Sequence, residues 1–226
     1  MVAGAVGGAG VLALAGCGQV QLGAAAIYDN QRITTSALSA QVTNLSAAYH
    51  AERGRLQLPY GPAQMPGKVL GWMLRFATVE RLAQREGIVV TAAQAQRALA
   101  AEAAQLRASG DTLRQAAILN GLPPDLLPEL GRWIAIQDVL ERRLDHGVPP
   151  ASAAGQQRVA LAVGHLECLA AKSLEIRVNP QFGAYDYGPS GLTSQAGIVP
   201  APSTLVARPG VSGPPASPRP QLAPRC

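Results

Sequence analysis

The chain reads as mainly α: a small bundle of about five to six helices with one or two short strands, followed by a disordered Pro-rich C-terminal tail. Three observations predict this. Apolar residues recur at three- and four-residue steps over several long stretches, the spacing that lines one face of a helix. Glycines, prolines and capping motifs punctuate those stretches at their ends. Half of the 18 prolines lie from Pro189 onward, and no Asp or Glu follows Asp186. Such a segment has too little to bury and favours extended, unpacked backbone.

The first 16 residues form an apolar, Gly-rich run that ends in Leu14-Ala15-Gly16-Cys17. An apolar stretch closed by small residues and a cysteine is the pattern of an export signal cleaved between Gly16 and Cys17, with the Cys17 sulfur taking acyl chains. Residues 1–16 are then a signal peptide and 17–26 a tether. The run lacks the basic residues that open such signals, which places the expected translation start upstream. It is shorter than the roughly 20 apolar residues that span a bilayer. Its glycines at 4, 7, 8 and 10 match a nucleotide-binding fingerprint only loosely, since no strand precedes them.

The folded region is expected over residues 27–186. Ala24 to Tyr28 reads as a brief strand and Asp29-Asn30 as a turn. From Thr34, Leu38, Val42, Leu45 and Tyr49 share one helical face, with Thr34 or Thr35 as cap. Gly54 and Pro59, Pro62 and Pro66 end that helix and hold a loop. The next helix, about 67–86, carries Val69, Leu70, Trp72, Met73, Leu74, Phe76, Ala77 and Val79. An α-helix apolar nearly all round sits inside a bundle. Gly87 closes it, and Ile88 to Val90 form an extended link. Thr91 with Gln94, and Thr112 with Gln115, are capping boxes for a third helix with a thin apolar stripe and a short fourth one. Pro123, Pro124 and Asp125 open a long helix whose Leu127, Leu130, Trp133, Ile134, Leu140 and Leu144 face inward. His146-Gly147 and Pro149-Pro150 stop it. Residues 147–155 read as a linker, about 156–172 as the last helix, and Leu174 to Val178 as a half-buried strand. Residues 187–226 are the tail.

Charge and cysteines narrow the function classes. The net charge of +5 is spread along the chain, with 4 % aromatic residues and no basic block. Nucleic-acid binding has little support in that pattern, whereas a mild positive balance suits a protein lying near anionic lipid. With Cys17 acylated, Cys168 and Cys226 remain. They could pair in an oxidising compartment; the favoured reading makes Cys168 a small buried hydrophobe and Cys226 a free thiol. His165 and Cys168 share a helix side but lack two further ligands, so no metal is expected. Glu129, Asp138 and Glu141 read as solvated helix charges rather than an acid–base pair. Asn44-Leu45-Ser46 fits a glycosylation sequon in mid-helix and is discounted. No nucleophile elbow or phosphate loop occurs, and no cofactor is implied. Trp72, Phe76 and Trp133 have two readings, client-binding aromatics or bundle core.

The order of pieces resembles the SurA N-terminal chaperone module, in the shorter lipoprotein form typical of actinobacteria. The residues that carry the likeness are Ala24 to Asn30 with Arg32-Ile33-Thr34, Gly87 to Thr91, and Val178-Asn179-Pro180-Gln181-Phe182-Gly183-Ala184-Tyr185-Asp186. The last is similar to that family's closing strand and turn, with Gln181 where Arg is usual. The likeness covers about residues 20–186. It implies a helical bundle that binds unfolded or newly exported polypeptides, held at the membrane by lipid on Cys17 on the extracytoplasmic side. The family often carries a parvulin-type prolyl isomerase domain in an interruption of the bundle. Residues 147–155 are too few for a folded domain, which takes about 40 residues, so the resemblance implies the chaperone part without the enzyme. A structural or assembly lipoprotein with one dedicated envelope partner, and a prolyl isomerase-related protein, are the alternatives.

Overall fold

Both ends of the folded region meet in one small sheet. The computed structural model describes residues 23–52, 54–145, 152–187 and 191–193; Gly16, Cys17, His146, Cys226 and the rest of the expected signal and tail lie outside them. Strand β1 (Ala24–Tyr28) pairs with β2 (Gln31–Thr34) through a tight turn, and on its other edge with β3 (Arg177–Val178), giving the antiparallel order β2-β1-β3. Asp29 makes the turn at φ 51°, a left-handed conformation that Asp tolerates better than most side chains. Its carboxylate pairs with Arg81 and its N–H donates to Leu174 O at 2.7 Å. Ala24, Ala25 and Ala26 are buried, so residues 24–26 belong to the folded body rather than to the tether. β2 was not anticipated: its Gln-Arg-Ile-Thr run is too short and too polar to show alternation, and pairing with β1 decides it.

Thr34 caps α1 (Thr35–Ala51), its hydroxyl accepting from Ala37 N at 3.0 Å. Leu38, Leu45 and Ala48 are buried on one face. Helix α2 (Met65–Arg85) is the centre of the bundle, as its composition predicts. It packs against α1, α5 (Leu127–Leu144) and α6 (Ala153–Ser173). It begins slightly earlier than expected, because Pro66 stands in its first turn, where the missing N–H costs nothing. The two predicted capping boxes form, opening α3 (Ala92–Ala108) and α4 (Leu113–Leu119). Pro124 opens a short 3-10 turn ahead of α5.

Helix α6 starts at Ala153, within the segment read as linker. Ser152 caps it by accepting from Gly155 N at 3.0 Å, so the cap overrides the Pro/Ala/Gly composition. Residues 145–152 are then all that separates α5 from α6. After α6, burial alternates from Leu174 to Val178 as expected, but only 177–178 pair as strand. Glu175 takes φ 48° and breaks the run. Asn179 turns the chain: its N–H donates to Ala25 O at 2.9 Å, and its side chain accepts from Gln181 N at 3.2 Å. A hairpin of β4 (Ala184–Tyr185) and β5 (Leu192–Thr193) follows. Leu192 and Tyr187 pack on the core, which moves the end of the folded body beyond residue 186.

The core has three parts. One lies under the sheet, between α1 and α2, around Leu38, Leu45, Leu70 and Leu74. A second joins the end of α2, the 88–90 link, α5 and α6 around Leu82, Ile136 and Ala170. The third surrounds Trp72 with α4 and α5. Arg132 staples the second part: it pairs side-on with Glu80 of α2, with one contact at 2.9 Å, and donates to Val90 O at 2.8 Å. Two glycines permit close approaches. At Gly121, φ is +73°, and a Cβ would stand 2.6 Å from Lys68 Cβ. At Gly131 a Cβ would stand 2.6 Å from the Ala95 carbonyl oxygen, which is why α3 lies so close to α5.

Candidate functional site

The three sequence-nominated aromatics come together where α2 crosses α5. Helical spacing places Trp72, Arg75 and Phe76 within one turn of α2. Trp133 of α5 meets Trp72 edge-on, with ring centroids 6.4 Å apart, and Phe76 lies 5.6 Å from Trp72. The Arg75 guanidinium carbon is 5.8 Å from the Trp72 ring and 5.6 Å from the Trp133 ring, within cation–π range of both.

The three are not equivalent. Trp72 is 3 % exposed, and its indole N–H donates to Asn120 O at 3.0 Å. It is a core residue, which corrects the reading of Trp72 as a binding side chain. Phe76 and Trp133 are half-buried at the edge of the same cluster. The indole N–H of Trp133 is buried without an acceptor among the described residues. An unmet buried donor costs about 1–3 kcal/mol, so an acceptor arriving from outside would be favoured there.

Behind the aromatics lies a polar layer that the sequence reading missed. Arg75 acts electrostatically on Glu167 of α6 and on Tyr185 of β4. Gln137 of α5 donates to Glu167, and Tyr185 hydrogen-bonds Thr78. Burial holds the Glu167 carboxyl above its usual range, against the opposing pull of Arg75 and Gln137. Burial likewise raises the Tyr185 hydroxyl. One signal was available: Arg75 is the charged residue amid the apolar stretch of α2, and such a residue needs partners on its neighbours.

Glu102 is a second buried acid, 8 % exposed on α3. Burial and then the nearby charge of Asp138 raise its pKa. A carboxyl raised in the folded state destabilises the fold once it ionises. That penalty is full above the folded pKa and fades as pH falls to the unfolded value near ~4.3. Glu102→Gln should therefore raise the melting temperature at pH 7, by a few degrees at most, and the gain should vanish at about pH 4. Thermal melts at the two pH values check this; a melting temperature lowered at pH 7 would contradict it.

Among the described residues, no three His, Cys, Asp or Glu side chains gather in a way that could hold a metal. His165 is exposed and Cys168 buried, as expected. Cys168 is nevertheless disulfide-bonded, which corrects its reading as an isolated small hydrophobe. Glu129 and Asp138 are exposed. Cys17 and Gly16 lie outside the described residues. No helix among the described residues is long and apolar enough to cross a membrane. No family model, curated protein or solved structure matches the chain.

Proposed function

We propose that this protein is a cell-envelope lipoprotein, tethered by lipid on Cys17, that holds apolar segments of exported, unfolded polypeptides on its helical bundle. The observation that carries the binding role is the ledge of Phe76 and Trp133. Two half-buried rings, a guanidinium behind them and an unmet indole N–H offer an incoming segment both apolar area and a hydrogen bond. The SurA-like order of strand, turn, helices and closing turn favours the same reading. The disulfide at Cys168 supports an oxidising compartment. Two acyl chains, each contributing about 0.8 kcal/mol per buried methylene, hold such a body stably at a bilayer. The few residues between α5 and α6 leave no room for an inserted isomerase domain, which favours binding over catalysis at that place in the chain.

The test is suppression of aggregation by soluble residues 18–226, with several unrelated unfolded clients. Suppression of most clients is expected. The double substitution Phe76→Ser, Trp133→Ser should weaken it several-fold while the far-ultraviolet circular dichroism stays unchanged. Suppression of no client would favour the dedicated-partner reading, and turnover of a Pro-containing peptide would favour the isomerase-related one.

A further inference from the structure

Cys168 is buried on the wrong side of its helix. At 3.6 residues per turn, it lies roughly opposite Ala170, which is fully buried in the core between α5 and α6. The residues on its own side of α6 are open: Leu161 is 50 % exposed, and His165 and Lys172 are exposed. Yet Cys168 is 5 % exposed, disulfide-bonded, and outside the three core clusters of described residues. Something other than the bundle core covers this strip.

We propose that the cover is the chain's own C-terminal segment, residues 194–226, fastened by a disulfide between Cys168 and Cys226. The chain has three cysteines. The inference rests on the acylation of Cys17, since a sulfur spent on a thioether cannot form a disulfide. Cys226 is then the remaining partner. The described chain ends at Thr193, and 33 residues from there to Cys226 give ample reach along one helix. The bond forms when the two thiols pass two protons and two electrons to the disulfide of an envelope dithiol oxidoreductase, which leaves as its dithiol. Reduction reverses the exchange and uncovers Leu161 and its neighbours, so the redox state sets how much of the outer face of α6 is available.

Peptide mapping without reductant tests this on the mature chain purified from the envelope of cells that export it. Thiols are first alkylated under denaturing conditions. Cleavage after acidic residues yields 168–175, 187–226, and a peptide bearing Cys17 that ends at Asp29. The expected result is a single species joining 168–175 to 187–226, which separates on reduction. A bond from 168–175 to the Cys17 peptide would overturn both this pairing and the lipid reading. An alkylated Cys168, or a bond between two copies of the chain, would overturn the pairing while an acylated Cys17 kept the lipid reading intact. In the full-length Cys226→Ser variant, alkylation of Cys168 in the native state should become several-fold faster than in reduced, unsubstituted protein held at the same pH with its tail docked; equal rates would show that the bond does not hold the cover in place.

Discussion

Gly131→Val should detach α3 from the bundle. The first added carbon would already stand 2.6 Å from the Ala95 carbonyl oxygen and 3.1 Å from Leu99 Cβ. The oxygen belongs to a helical backbone and cannot swing aside as a side chain could. Overpacking of a tight contact costs about 1–3 kcal/mol and occasionally more. Helix α3 has little to resist with, since its fully buried residues are Glu102 and Ala103. The strain is therefore expected to be relieved locally, by α3 lifting from α5, rather than by loss of the whole fold. Hydrogen exchange resolved by segment should show α3 losing protection while α2 and α6 keep theirs. Unchanged protection in α3 would mean the helices do not approach as closely as Gly131 indicates.

Trp72→Ala should be the most destabilising single change in the aromatic cluster. It removes a ring that is 3 % exposed, the edge-on contact with Trp133, the contact with Arg75, and the hydrogen bond to Asn120 O. Truncation of a buried Trp or Phe costs about 3–5 kcal/mol. Phe76→Ala should cost clearly less, because part of that ring already meets solvent. Urea unfolding of the two variants checks the order. An equal or reversed ranking would return Trp72 to the surface, as a binding residue rather than a core one.

Much of the bundle is legible from local rules. Thr34, Thr91 and Thr112 announce helix starts because capping is decided within four residues, and all three cap as read. The nearly all-apolar stretch from Val69 to Val79 marks α2 as central, because no arrangement leaves it a solvent face. What was missed depends on partners distant in sequence. β2 exists because β1 and β3 build a sheet beside it. The hairpin after Tyr185 forms where Leu192 finds the core, inside a segment whose composition points to a tail. The start of α6 was misplaced because Ser152 was weighed less than the prolines before it. The aromatic cluster was legible as residues but not as roles: helix spacing brings Trp72 and Phe76 together, while only packing against α5 decides which ring is roofed. The polar layer of Arg75, Gln137, Glu167 and Tyr185 draws on four separate elements, so no single window of sequence displays it.

Attachment to the membrane through position 17 is the claim on which location, reach and client access all depend. Mass spectrometry of the N-terminal peptide from native protein, extracted from membranes in detergent, measures it directly. The expected peptide begins at Cys17 and carries the added mass of its acyl chains. A peptide that retains residues 1–16 with an unmodified Cys17, recovered from the cytosolic fraction, would contradict the account.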